Sequence, residues 1–239
     1  MSMPVAILAG GLATRLGTLA EHIPKSLLEV AGKPFIEHQL VLLSHAGISD
    51  VVLCVGHLGA MIQENLGDGA RLGVRIRYSD DGDTRRGTGG AVRNALPLLG
   101  DAFFVLYGDS YLDCDYRAIE TSYERLGLPA LMTVFRNEGA FDTSNVEYAD
   151  RKILRYDKKV RTPGMQHIDY GLGIFKADIF RRYTDALAFD LADVYTDLVR
   201  DSRLAAYEVG TRFYEIGSEK GLAETRAVIE EKLRKPLGI

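Results

Sequence analysis

Read for apolar and polar positions, the first half of the chain alternates between two periods. Val5-Ala6-Ile7-Leu8-Ala9 is a continuous apolar run closed by Gly10-Gly11, the pattern of a strand buried on both faces. Between residues 35 and 46 the apolar positions are Phe35, Ile36, Leu40, Leu43 and Ala46, a helical spacing that Gly47 stops. A second buried run, Val51-Val52-Leu53-Cys54-Val55, predicts another strand, residues 60–66 a short helix, and the alternating Val74-Arg75-Ile76-Arg77-Tyr78 a third strand. Residues 90–99 are helical in pattern, and Phe103-Phe104-Val105-Leu106-Tyr107 is again strand-like. Strands alternating with helices predict right-handed βαβ units, hence an α/β fold with a mostly parallel central sheet flanked by helices.

The second half has a different rhythm. Residues 130–135, 145–149, 152–156 and 169–175 read as strands, with Asp150-Arg151 as a short turn. Residues 180–183 and 191–200 read as helices, 204–209 and 213–216 as short strands. Residues 219–233 form a closing amphipathic helix with apolar Leu222, Ala223, Val228, Ile229 and Leu233. No repeat, low-complexity tract or Pro/Ser-rich linker interrupts the chain. The expected organisation is one domain, 1–239, with halves 1–115 and 116–239 that meet near residues 111–116 inside one sheet.

Composition narrows the classes. With 29 Lys+Arg against 33 Asp+Glu the net charge is −4, which lacks the bulk basic character of a nucleic-acid or anionic-membrane binder. An anionic ligand would have to be met by a local cluster of cations. Cys54 and Cys114 are too few for a disulfide scaffold and read as free thiols of a reducing compartment. No apolar run approaches the roughly 20 residues needed to span a bilayer, and no basic leader precedes the first strand. The expectation is a cytoplasmic protein with no membrane partner. The pattern leaves its oligomeric state open, a homo-oligomer included.

Several short segments could carry chemistry. Leu8-Ala9-Gly10-Gly11-Leu12-Ala13-Thr14-Arg15-Leu16 ends a strand in two glycines, where backbone can approach phosphate oxygens, and Arg15 adds a planar charged fork. The spacing matches neither G-x-G-x-x-G nor G-x-x-x-x-G-K-[ST], which argues against a hydride-transfer enzyme and a P-loop; a βα turn with a solvated arginine is the plain alternative. In Pro24-Lys25 a fixed proline aims one compact charge. Gly87-Thr88-Gly89-Gly90-Ala91 opens a helix where a base or phosphate could lie against backbone, or is simply a tight loop. Tyr107-Gly108-Asp109-Ser110 ends a strand in an acid at the carboxyl edge, where open α/β sheets bind ligands. A carboxylate there suits Mg²⁺ held with substrate phosphate oxygens, and Glu215, also at a strand end, could share the ion. Lys158-Lys159 and Asp169-Tyr170-Gly171 supply a basic pair and an acid in the second half, where solvated hairpin charges are the ordinary explanation.

Taken in order, Ala9-Gly10-Gly11 with Thr14-Arg15-Leu16, Pro24-Lys25, Gly87-Thr88-Gly89-Gly90-Ala91, Gly108-Asp109 and Tyr214-Glu215-Ile216-Gly217 resemble the sugar-1-phosphate nucleotidylyltransferase family over nearly the whole chain. The nearest likeness is to the short bacterial branch of heptose-1-phosphate guanylyltransferases and N-acetylmuramate-1-phosphate uridylyltransferases. The resemblance implies a Rossmann-like mixed sheet with a smaller, mixed sugar-binding half. It also implies a reaction in which a nucleoside triphosphate and a sugar 1-phosphate, heptose 1-phosphate with GTP by the middle motif, give a nucleotide sugar and pyrophosphate. On that reading Arg15 and Lys25 are catalytic, and Leu8, Ala9, Gly10, Gly11, Thr14, Thr88, Gly89 and Gly90 bind nucleotide. Asn145, Lys158 or Lys159, Asp169 and Gly171 meet the sugar phosphate, and Asp109 with Glu215 holds Mg²⁺. The chain departs from the family pattern at Ala13, where glycine is usual, at Glu215, where aspartate is usual, and around Asp157-Lys158-Lys159, which lacks a clear E-K-P. Two other readings are a cytidylyltransferase for a small phosphorylated alcohol such as choline phosphate, with Tyr148, Tyr156, Tyr170 and Tyr214 as aromatics, and a non-catalytic sugar-nucleotide sensor.

Overall fold

Strand by strand, alternate side chains go to opposite faces and so create two apolar layers. In the computed structural model, which describes residues 3–11, 23–82, 84–183 and 186–234, Val5 and Ile7 of β1 (Val5–Leu8) face one layer and Ala6 the other. After the ribbon β2 (Glu29–Val30) and β3 (Lys33–Pro34) come α1 (Phe35–His45), β4 (Asp50–Val55), α2 (Gly59–Leu66), β5 (Arg75–Asp80), α3 (Gly87–Ala95), β6 (Ala102–Tyr107) and the short β7 (Ser110–Tyr111). The chain continues through α4 (Tyr116–Leu126), β8 (Ala130–Arg136), β9 (Val146–Ala149), β10 (Lys152–Tyr156), β11 (His167–Lys176) and α5 (Ala177–Phe180). It closes with α6 (Leu191–Arg200), β12 (Leu204–Val209), β13 (Tyr214–Glu215) and α7 (Glu219–Arg234).

β5, β4, β1 and β6 pair in parallel, as the alternation of the first half predicts. β11 then enters antiparallel between β6 and β8, and β12 runs parallel to β8. The β9–β10 hairpin joins the same nine-stranded sheet at the start of β11, through His167 and Val146. Helices cover both faces. Ile36, Leu40 and Leu43 of α1, Ile62 and Leu66 of α2 and Tyr116, Ile119 and Tyr123 of α4 pack on one side. Val92 and Ala95 of α3 and Val194, Tyr195 and Leu198 of α6 pack on the other. The expected α/β class and mostly parallel sheet therefore hold.

The pattern assigns no element to residues 117–129, yet α4 forms there. Its buried stripe is only Tyr116, Ile119, Ser122 and Tyr123, too thin to stand out, but both ends are capped. Asp115 accepts from the Ala118 N–H, and Gly127 closes the helix in the left-handed region at φ 67°. The short β2–β3 ribbon and the helical turn at Lys25–Leu27 were likewise absent from the periodicity, being too short to show one. The two cysteines are free, and burial pushes both thiols up to about 12. Among the described residues no helix is long and apolar enough to cross a membrane.

Candidate active site

The carboxyl ends of β1, β4 and β6 meet closely. Ala9 donates its N–H to the Cys54 carbonyl at 2.9 Å, so that group is already committed, while Gly10 and Gly11 stand exposed just beyond it. Leu8 is half-buried at the end of β1. A side chain at Gly10 would sit 3.3 Å from the Gly56 nitrogen, whereas Gly11 faces open space. At Gly108 a Cβ would strike the Leu8 carbonyl, so only glycine lets β6 end this close to β1. Thr14 and Arg15, with Ala13 and Leu16 of the same loop, lie outside the described residues.

Asp109 is placed from three directions. Gln39, buried in α1, donates to the Tyr107 and Ser110 carbonyls at 3.2 and 2.8 Å and so holds the turn on both sides of it. β7 pairs with β13, which sets Glu215 opposite Ser110, and the Ile216 N–H donates to the Asp109 carbonyl at 3.0 Å. Pro24 is buried at the start of a single helical turn, and from that anchor Lys25 Nζ donates to Asp109 Oδ2 at 2.6 Å. Asp109 keeps 40% of its side chain exposed and Lys25 only 15%. A pair this open contributes little to folding, so its geometry is free to serve a ligand. From the point where a Gly217 Cβ would lie, Glu215 Oε2 is 2.6 Å away, Lys25 Nζ 3.0 Å and Asp109 Oδ2 3.7 Å. One ammonium and two carboxylates thus face a common spot. Among the described residues no group of three or more His, Cys, Asp or Glu side chains is arranged to hold a metal ion. Mg²⁺ does not need one, since it binds through one or two carboxylates plus phosphate oxygens and water. Asp109 and Glu215 fit that requirement.

A second cluster stands beside the first. β11 shifts register against β8 between Asp169 and Gly173, and Gly171, at φ 96°, absorbs the bulge. The bulge lets the Gly171 N–H donate to Asp169 Oδ1 at 3.1 Å, while the Asp169 N–H donates to Asn145 Oδ1 at 2.9 Å. Asp169 Oδ2 takes the Tyr156 hydroxyl at 3.5 Å. Burial holds the Asp169 carboxyl above the usual carboxylate range, against the pull of the Lys158 ammonium. Lys158 Nζ reaches the Tyr107 hydroxyl at 3.4 Å and lies over its ring. Lys159 is in the turn after β10, its N–H donating to Asp157 Oδ1 at 2.8 Å. Tyr107, two residues before Asp109, therefore links the two clusters. Burial first, then the charges of Asp169, Asp109 and Asp190, raise its phenol well above its usual range.

The helix start at 87–90 packs against the segment that leads into α6. The N–H groups of Gly89 and Gly90 both donate to the Phe189 carbonyl, and Thr88 Oγ1 accepts from Leu191 N at 2.8 Å. A side chain on Gly89 would overlap the Phe189 ring. These glycines first of all let α3 dock on the segment leading into α6. Gln39 has no place in the sequence motifs, and Tyr107 and Gly217 stand in them without a role of their own. Gln39 is a polar residue on the buried face of a helix, a signal that was present; the other two become visible only from their neighbours in space.

A family model described as nucleotidyl transferase matches residues 5–227. The N-acetylmuramate alpha-1-phosphate uridylyltransferase of Neisseria meningitidis serogroup B is 30% identical over 230 residues, 95% of this chain and 98% of that protein. The D-glycero-alpha-D-manno-heptose 1-phosphate guanylyltransferase of Campylobacter jejuni is 28% identical over 215 residues, covering 90% and 95% of the two chains. A Bacillus anthracis structure solved in complex with a sucrose superposes with a TM-score of 0.86 at 22% identity, over 100% of this chain and 98% of that one, a likeness of fold.

Proposed function

We propose, from the premise that this chain belongs to the nucleotidyl transferase family, that it joins a nucleoside triphosphate to a sugar 1-phosphate and releases pyrophosphate. Heptose 1-phosphate with GTP is the pair we favour. A phosphate oxygen of the sugar phosphate attacks the α-phosphorus, and the bond from that phosphorus to the pyrophosphate oxygen breaks. The attacking oxygen is already anionic, so no general base is required. The barrier lies in bringing two polyanions together and in the charge that builds on the α-phosphoryl group and departing pyrophosphate.

The observation that carries this reading is the adjacency of the two clusters. Lys25, Asp109 and Glu215 face one spot at the end of β6, and Tyr107 ties them to Lys158 and Asp169. In this assignment Lys25 neutralises the α-phosphate, Lys158 binds the sugar phosphate, and Asp169 with Asn145 accepts sugar hydroxyls or orders the loop that does. Arg15 and Thr14 belong to the triphosphate loop with Gly10 and Gly11. Mg²⁺, held by Asp109 and Glu215, would supply a Lewis acid for the phosphate oxygens. A chain of net charge −4 can handle such substrates because two of its cations, Lys25 and Lys158, stand close to the end of β6. Pyrophosphate release, measured with the common nucleoside triphosphates crossed against heptose, N-acetylmuramate, glucose and mannose 1-phosphates, tests the assignment. Release with one pair supports it, and a flat response to every pair overturns it.

A further inference from the structure

Glycine in the interior of a helix is costly relative to alanine, yet α7 carries a buried one, Gly221, in its first turn. The reason is across the turn. A Cβ at residue 221 would overlap both Oε1 and Cδ of Glu215, and would lie 2.8 Å from the Glu215 carbonyl oxygen. The Glu215 carboxylate rests on the opening of the helix. Oε1 accepts from the Ser218 hydroxyl at 2.7 Å and Oε2 from the Gly217 N–H. Ser218 Oγ in turn accepts from the Gly221 N–H at 3.0 Å, and the buried Thr225 hydroxyl donates to the Glu215 carbonyl at 2.7 Å.

Resting on the function proposed above, we infer that Gly221 and Ser218 are positioning residues for Glu215. Gly221 leaves the space into which the longer glutamate side chain folds, and Ser218 ties it there. Oε2 is thereby turned to the spot that Lys25 and Asp109 also face. A glutamate has one methylene more than an aspartate, and that length must go somewhere. Folded back onto α7, the carboxylate stays beside Lys25 without replacing Asp109 as its partner at 2.6 Å. With alanine at 221 the carboxylate is expelled from the opening of the helix, and the Ser218 hydroxyl and Gly217 N–H bonds that hold it are broken. It then leaves the position from which it can share a cation with Asp109.

The test is a double-mutant cycle of wild type, Glu215→Asp, Gly221→Ala and the double variant. It is read by turnover in pyrophosphate release and, separately, by Mn²⁺ binding to the substrate-free protein from water-proton relaxation. Gly221→Ala should lower turnover about a hundredfold in the glutamate background and weaken Mn²⁺ binding. In the aspartate background it should change either readout less than about threefold, because the shorter carboxylate does not reach residue 221. The contact with the carbonyl oxygen is common to both backgrounds and cancels. Equal losses in both backgrounds overturn the inference. Should Gly221→Ala fail to fold, Ser218→Ala and Ser218→Thr replace it: loss of turnover and Mn²⁺ affinity in the alanine variant with recovery in the threonine variant supports the tie, and no loss in either overturns it. If wild type releases no pyrophosphate from any substrate pair, the function reading fails and the Mn²⁺ cycle alone decides the positioning. Absence of Mn²⁺ binding by wild type overturns the seat as a cation-facing device.

Discussion

A single lysine illustrates how weak a lone residue is as a signal. Pro24-Lys25 in the sequence is one cation among 29; in the folded chain its ammonium is the group that Asp109 Oδ2 meets at 2.6 Å. Lys25→Ala should lower turnover by about 10²–10³, the scale of removing one preorganised charge from a transition state. It should move stability by no more than about 1 kcal/mol, since Asp109 stays 40% exposed. Steady-state kinetics beside a thermal melt separates the two effects. Asp169 makes the opposite case. Its carboxyl is raised by burial, with Lys158 and the Gly171 N–H opposing, so the native state binds a proton more tightly than the unfolded chain. Stability contributed by this group therefore falls as pH rises from the ordinary carboxylate value through the raised native one. Asp169→Asn should raise Tm at pH 7 and flatten that part of the pH–stability profile, while weakening sugar-phosphate binding. A variant with lower Tm at pH 7 would contradict this account.

Elements contribute by docking as well as by forming. α3 begins with glycines that are poor for a helix, and the structure accounts for two of them by the carbonyl and ring of Phe189. Gly89→Ala should cost about 1–3 kcal/mol by overpacking against that ring, read as a Tm drop of about 2–4 °C per kcal/mol. A Gly-rich helix start looks alike in the sequence whether backbone or a phosphate approaches it, and the Phe189 carbonyl supplies a backbone approach. α4 shows the reverse. Its caps at Asp115 and Gly127 were readable, but a stripe of few buried residues does not announce itself through periodicity.

At the scale of the whole molecule, β11 is the strand that joins the two clusters. It is antiparallel in an otherwise parallel run of neighbours, so its start, with Asp169 and Gly171, reaches the edge where β6 ends in Asp109. Tyr107 bridges the junction to Lys158. Lys158→Ala should raise KM for the sugar 1-phosphate by about tenfold, equivalent to about 1.4 kcal/mol, and leave KM for the nucleotide within about twofold. Lys159→Ala should have the smaller effect, because Lys158 is the lysine whose ammonium reaches Tyr107 between the two clusters. Initial-rate measurements with each substrate varied in turn check both.

Much of this was legible in the linear chain. The alternation of apolar runs with helical spacings is a local property and carries the α/β class. Glycines at strand ends and the acid after Gly108 mark a ligand-binding edge, because few other positions tolerate or need them. Convergence is not local. Lys25 and Asp109 are 84 positions apart, and Lys158 and Tyr107 51; no periodicity relates them. Their meeting depends on the register of β11, the β7–β13 pairing and a glycine in α7 that leaves room for Glu215. Side-chain direction and close approach are consequences of packing in three dimensions, which is why folding had to bring these groups together before they could be read as one site.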